Sequence, residues 1–264
     1  MVSKGTLNVA RSAFLKHRAL RSLAHYTGIL SLQAYARLAW ITGDEEMMDE
    51  IRAELLPFVR EEHDKAIFHA NFTNYYCGGN GTAFLYWRGV LPEAEASLRR
   101  YAHELMAEAP RDENGIFCHP RHPGEERIWI DVAFAVTPFL LFTGLAFGED
   151  AYVEEAYQQT AKMYETFLDR DVGLLHQCKN FKAPGELSPD HWSRGNGWGI
   201  LALTELVNHL PEDHIRRPAA ERMFGDLVHA CLEYQDDEGM WHQESTDPTA
   251  DVETSGSGLI LYAS

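Results

Sequence analysis

Apolar positions recur at three- and four-residue spacing along most of this chain. Between residues 25 and 42 the apolar side chains Ile29, Leu30, Leu32, Tyr35, Leu38, Ala39 and Trp40 keep helical period. Thr42-Gly43-Asp44 then ends that helix and caps the next, which runs to about Arg60. The same reading predicts helices over residues 6–23, from about Thr82, over 92–109, 130–147, 150–168, 195–210 and 216–235, and a last one starting at Thr254. Pro92 fits a first helical turn. No stretch alternates apolar and polar residues as a half-buried strand would. The chain therefore reads as all-α, with about ten helical segments and no strict sequence repeat.

The helices come in pairs, joined alternately by short turns and by long loops at 110–128, 169–193 and 236–251. An α-solenoid and a toroid of helical hairpins both satisfy this pattern. In a toroid the long loops gather on one face, and the chemically dense segments of this chain do fall in its long loops, which favours the toroid. The expected organisation is one domain over residues 1–264.

The densest segment is Asp190-His191-Trp192-Ser193-Arg194-Gly195-Asn196-Gly197-Trp198, at the entrance of a helix whose pattern from Gly199 to Leu210 reads as amphipathic. Arg194 carries a planar fork of donors suited to a carboxylate. Trp192 and Trp198 offer apolar faces to a sugar ring, and Gly195 and Gly197 allow a ligand close to the backbone. Asp131 stands within Ile128-Trp129-Ile130-Asp131-Val132-Ala133-Phe134. Apolar surroundings raise a carboxyl pKa, as a general acid requires, although a helix-capping aspartate is equally ordinary at such a position. His119 and His176 each close a glycine-started segment, Gly115 to His119 and Gly173 to His176. Either can bind a hydroxyl or carboxylate, or serve as a loop histidine with a backbone partner. Gly78-Gly79-Asn80-Gly81 precedes a helix and can cradle an anion, but it lacks the Walker lysine, so a helix-entrance turn fits as well.

Composition narrows the class. The net charge of −17 excludes nucleic acid and anionic membrane as partners, while leaving room for a small anionic substrate in a local basic pocket. No apolar run is long enough to span a bilayer. Cys77, Cys118, Cys178 and Cys231 are scattered without a CxxC pair, so neither a zinc site nor a disulfide framework is expected, and a cytoplasmic, reducing setting fits. Neither His119 nor His176 reads as paired with another histidine or acid at metal-ligand spacing, and there is no HExxH, so no metal or other cofactor is expected. The first acid is Asp44, preceded by Lys4, Arg11, Lys16, Arg18, Arg21 and Arg37. That start reads as a helix with a basic face, or as a transit peptide.

Trp192-Ser193-Arg194-Gly195-Asn196-Gly197-Trp198 resembles the WxRGNGW signature of family 105 glycoside hydrolases, the unsaturated rhamnogalacturonyl hydrolases. Tyr26, Gly28, Thr42-Gly43-Asp44, Gly115 to His119, Trp129-Ile130-Asp131, Gly173 to His176 and Glu253-Thr254-Ser255 follow the family's order. The sister family 88, the unsaturated glucuronyl hydrolases, more often carries RGQAW-like residues at the signature. The resemblance implies an (α/α)6 barrel, the six-hairpin toroid, whose last closing helices fall beyond Ser264. It implies a reaction without metal, on small oligosaccharides ending in a 4,5-unsaturated uronic acid. Asp131 would then be the catalytic acid, with His119, His176, Trp192, Arg194 and Trp198 lining the sugar subsite. Family members also carry a second aspartate before the helix that here starts near Thr82. This chain has Asn74 to Gly81 there, without an acid, and Asn80 or Asn74 replaces its hydrogen bonds but not its charge. A sugar-binding or regulatory descendant without catalysis is the alternative this difference raises.

Overall fold

The structure is a computed structural model, and it describes residues 3–68 and 71–263. Ser264, where closing helices were expected to follow, lies outside those residues. Ten α-helices are present among the described residues: α1 (Lys4–Leu20), α2 (Tyr26–Thr42), α3 (Glu45–Val59), α4 (Gly79–Trp87), α5 (Glu95–Glu108), α6 (Asp131–Phe147), α7 (Asp150–Phe167), α8 (Ser193–His209), α9 (Arg217–Glu233) and α10 (Thr254–Ala263). Two two-residue strands, β1 (Ile128–Trp129) and β2 (Cys178–Lys179), pair antiparallel. The chain divides into two compact units, Met1–Ala109 with Phe142–Val153, and Pro110–Leu141 with Glu154–Ser264. The division falls inside α6 and α7.

In the first unit the basic face of α1 has an acidic counterpart on α3. Arg11 pairs with Glu46 and Glu50, and Arg18 with Glu54. Phe14 stacks on Tyr35 of α2, with centroids 4.1 Å apart. The acid-poor start thus forms a helix packed on α2 and α3. Asp44 caps α3 by accepting from the Met47 N–H at 3.0 Å, and Gly43 ends α2 in the left-handed region at φ 65°. Asn80 is 0% exposed, and its amide donates to Gln33 of α2 at 3.0 Å. Gly81 is needed for that approach, because a Cβ there would meet the Leu32–Gln33 backbone at 3.2 Å. Asn80 therefore clamps α4 to α2, which corrects its expected place among substrate-binding residues and replaces the anion-cradle reading of Gly78–Gly81.

In the second unit α8 is buried on nearly every side, from Gly195 through Leu206. The expected amphipathic helix is a central one, packed against α9 and α10. Close packing on all sides explains its glycines. A Cβ on Gly197 would stand 2.7 Å from Leu259 Cβ of α10, and one on Gly199 would stand 2.6 Å from Leu175. Gly197 thus serves the packing of α10 on α8, and a Cβ on Gly195 would stand 3.1 Å from Ile130 and 3.2 Å from the Trp192 ring. Trp241, fully buried, donates its Nε1–H to the Cys231 carbonyl at 2.7 Å and fixes the loop after α9.

Three loops of this unit share one construction. Asp112, Asp169 and Asp236 each accept, on the backbone carbonyl, from Gly115, Gly173 and Gly239, whose φ values are 78°, 77° and 82°. Each aspartate N–H then returns to a carbonyl just past its glycine, at Ile116, Leu174 and Met240. Each aspartate side chain also accepts from N–H groups of its own turn. The His119 and His176 segments are two of these; the third, ending in His242, has the same Gly-x-x-His form as the second.

Candidate active site

β1 places Asp131. The Ile128–Trp129 strand pairs with Cys178–Lys179, and the next N–H, Ile130, donates to the Gln177 carbonyl at 3.0 Å. Asp131 and His176 therefore flank one backbone hydrogen bond on neighbouring chains. Ser188 locks the second chain by accepting from the N–H groups of Gln177 and Cys178 at 3.0 and 3.1 Å. Asp131 opens α6, and its Oδ2 is buried with no hydrogen-bond partner among the described residues. Burial raises this carboxyl to about 6, against the opposing pull of its own backbone N–H and of the Arg194 charge.

Asn196 joins α8 to the same loop. Its side-chain oxygen accepts from Leu175 N–H at 2.8 Å, and its amide donates to the carbonyls of Leu175 and Trp192 at 3.2 and 3.1 Å. His191 and Trp192 lead into α8 and are tied to an antiparallel stretch of chain around Glu244: His191 N–H donates to Glu244 Oε2 at 2.8 Å, and Ser193 N–H to the Gln243 carbonyl at 3.2 Å.

Arg194 lies over the Trp192 ring, 4.0 Å from its centroid. Its Nη1 donates to Glu253 Oε1 and to Ser255 Oγ, both at 3.0 Å. Glu253 in turn accepts from the Gly256 N–H at the start of α10. The guanidinium is thus held by a cation–π stack on one side and a carboxylate on the other. Glu253 and Ser255 entered the sequence reading only through the ETS resemblance. Their positioning role depends on a contact across 59 residues, which no local pattern shows.

Trp192 is 7% exposed and Trp198 2%. The Trp198 ring stacks on Phe134 of α6, with centroids 4.9 Å apart and planes at 27°. This corrects the expectation that Trp198 offers a face to sugar. It packs α8 against the helix that carries Asp131, and Phe134 lies one turn beyond that acid. His119 is half-buried, and burial, with Arg121 and His122 nearby, lowers it to about 4. Its Nδ1 accepts from the Arg121 N–H at 3.2 Å, so the ring is neutral and an acceptor at physiological pH.

Asp169 is the residue the sequence reading passed over. Its Oδ2 lies 3.0 Å from His191 Nε2 and 3.8 Å from His176 Nε2, and the two rings stand 4.9 Å apart. The Asp171 backbone N–H, and then His191, hold its carboxyl below the usual range. Burial, followed by the His191 charge, holds His176 below the usual imidazole range. The signal that would have found Asp169 is the repeated aspartate–glycine turn, visible only with the three loops aligned.

Asp131, His176, Trp192 and Arg194 thus belong to one network of strands and helix entrances within the second unit, with Asp169, His191 and Glu253 behind them. It combines a partly buried acid, a positioned guanidinium and imidazoles. No helix among the described residues is long and apolar enough to cross a membrane.

Comparison with known proteins agrees with this architecture. The chain is 26% identical over 178 residues to the unsaturated rhamnogalacturonyl hydrolase YesR of Bacillus subtilis, covering 66% of this chain and 51% of that protein. It is 29% identical over 146 residues to an unsaturated 3S-rhamnoglycuronyl hydrolase of Formosa agariphila, covering 51% of this chain and 38% of the relative. The chain thus spans about half the length, or less, of these relatives. Among solved structures, a family 105 glycoside hydrolase from C. acetobutylicum superposes with a TM-score of 0.80 at 22% identity, over 96% of this chain and 74% of that one. The fold is accordingly the all-α, (α/α)6-barrel type. The sequence profile of glycosyl hydrolase family 88 matches residues 8–263, and on that match across nearly its whole length the chain belongs to this family.

Proposed function

We propose that this chain, read as one catalytic domain, is a hydrolase that removes a 4,5-unsaturated uronic acid from the non-reducing end of small oligosaccharides made by polysaccharide lyases. The observation that carries the reading is the Asp131 carboxyl. It is raised to about 6, with one oxygen buried and unpartnered, at the end of a strand that also fixes His176. Such a carboxyl keeps its proton up to about pH 6, well above the ordinary carboxylate range, and can deliver it. The relatives, hydrolases of unsaturated rhamnogalacturonyl and rhamnoglycuronyl groups, support the substrate class.

In this mechanism Asp131 protonates C4 of the vinyl ether. Positive charge develops at C5, delocalised onto the ring oxygen, and the resulting Asp131 carboxylate takes a proton from the water that adds at C5. The hemiketal opens and releases the next sugar. One acid serves both steps, unlike the two-carboxylate displacement of most glycosidases. Arg194, stacked on Trp192 and paired with Glu253, presents the remainder of its fork to the uronate carboxylate. His119 and His176 contribute ring nitrogens to the sugar hydroxyls, and Trp192 contributes the aromatic edge. The four buried free thiols fit a reducing, cytoplasmic compartment. Neither nucleic acid nor an anionic membrane fits the net charge of −17 as a partner.

The test follows loss of the ultraviolet absorbance of the conjugated enol ether, using a panel of lyase-generated unsaturated disaccharides. Wild-type protein removes it, and Asp131→Asn does not. Full activity in Asp131→Asn refutes the mechanism. A second reading, sugar binding without turnover, is favoured by the buried amides Asn74 and Asn80 in the segment where the family carries a second acid. Calorimetric binding of the disaccharide, with its absorbance unchanged, would select that reading.

A further inference from the structure

We infer that Asp169, His176 and His191 form a binding site for a divalent transition-metal ion of the zinc type, and that the ion blocks the sugar subsite. The three residues each offer one ligand atom, all within 4.8 Å of one another, and no other such group of three exists among the described residues. The shared construction of the three loops singles this one out. In the first loop Asp112 Oδ2 faces a lysine, Lys179 Nζ at 3.5 Å. In the third, Asp236 Oδ2 faces one imidazole, His242 Nε2 at 3.5 Å. The first is an ordinary ion pair and the second a single carboxylate–imidazole contact. Only in the second does one carboxylate oxygen gather two imidazole nitrogens, at 3.0 and 3.8 Å. Donors around a tetrahedral zinc ion, bound at about 2.0–2.2 Å, stand roughly 3.4 Å apart. The two carboxylate–imidazole separations bracket that value, and the two imidazole donors lie within 4.8 Å of each other.

The surroundings orient these donors as metal sites require. Asp169 Oδ1 is held by the Asp171 N–H at 2.9 Å, which turns Oδ2 toward the rings. Glu244 Oε1 lies 3.6 Å from His191 Nδ1, so a proton kept on Nδ1 has a carboxylate beside it and the Nε2 lone pair is left for a cation. Glu244 is itself fixed, accepting from the His191 N–H at 2.8 Å and from the Thr246 hydroxyl at 2.8 Å. Two imidazoles and one carboxylate suit zinc, cobalt, nickel or copper better than magnesium or calcium. Three protein donors leave a fourth position for water. Because His176 also lines the proposed sugar subsite, a bound ion takes that ring away from substrate. This clause rests on the functional reading above, whereas the site itself does not.

The test titrates zinc chloride into the chelator-treated chain by calorimetry. Cobalt chloride follows in parallel, read by the visible absorption of four-coordinate cobalt. One ion per chain is expected, with His191→Ala and Asp169→Asn each weakening it by more than about 100-fold and Glu244→Gln by about 10–100-fold. His229→Ala, on an exposed histidine of α9, leaves binding unchanged. Circular dichroism confirms that each variant is folded, and His176→Ala replaces any that is not. Zinc binding that persists unweakened in folded His191→Ala and Asp169→Asn, or no binding by the wild-type chain, overturns the site. Magnesium serves as the hard-cation control, and binding as tight as that of zinc also overturns it. If zinc binds but disaccharide turnover is unaffected, the metal site stands and the place of His176 in the sugar subsite falls.

Discussion

Asp131→Asn is expected to make this protein more stable at neutral pH while removing the hydrolase activity we propose. The carboxyl is raised from 3.8 to about 6 in the folded chain, chiefly by burial. Between those two values the native state binds the proton more tightly than the unfolded state, so stability falls as pH rises. The proton's contribution is complete below about 3.8 and is lost as pH rises through about 6. Above that, the native protein carries a carboxylate it would be better without. A shift of this size corresponds to roughly 3 kcal/mol, and roughly 2–3 kcal/mol is reasonable for a half-buried residue with one oxygen out of water. Asparagine has nearly the same shape and no charge. Urea denaturation at pH 7.5 and at pH 4 should therefore show the variant gaining about 2–3 kcal/mol relative to wild type at the higher pH only. In a chain of this length that is about 5–10 °C of melting temperature. Turnover should fall at least about 100-fold, the ordinary contribution of a positioned acid. In the wild type, kcat/KM should decline as pH rises through about 6, as the acid loses its proton. A variant equally destabilised at both pH values would refute the claim that Asp131 is held against its charged form.

Other substitutions probe the supports of the site. Arg194→Lys keeps the charge but loses the fork that reaches both Glu253 and Ser255, and KM for the unsaturated disaccharide should rise about 10–100-fold, read by initial rates. Gly197→Ala places a methyl 2.7 Å from Leu259 Cβ and should cost about 1–3 kcal/mol in urea denaturation; an unchanged midpoint would mean α10 is not held closely against α8. Asn196→Ala leaves the Leu175 N–H without its acceptor at a buried position and should cost about 1–3 kcal/mol, with a loss of turnover through the displaced His176 loop. The two effects of Asn196→Ala are separable by denaturation and initial-rate measurements on the same preparation.

The helices were readable because helix formation writes itself into short-range spacing. Each predicted segment lies within a few residues of an observed one, and Asp44 caps α3 as its position implied. Asp131 was readable as an acid among apolar neighbours, since those neighbours are adjacent in sequence. The aromatic and glycine residues around Arg194 were noticed for their density, but the packing partners of two of them lie far away in the sequence. Gly197 serves Leu259, 62 positions later, and Trp198 serves Phe134, 64 positions earlier. A glycine that admits a ligand and one that admits another helix look the same in one dimension. The two short strands escaped notice because two residues are too few to show a period of two.

The sequence by itself determined the all-α class, the helix positions to within a few residues, the acidic composition and the place of Asp131 among apolar neighbours. These depend on local spacing, on composition and on neighbours in the chain. Tertiary structure alone decided that Glu253 holds Arg194, that Asn80 belongs to helix packing, and that Asp169 meets two histidines placed 7 and 22 residues beyond it. Each of these is a hydrogen bond or ion pair whose partners are chosen by how loops return to one another. Its energy depends on distances of a few ångströms that no one-dimensional pattern carries.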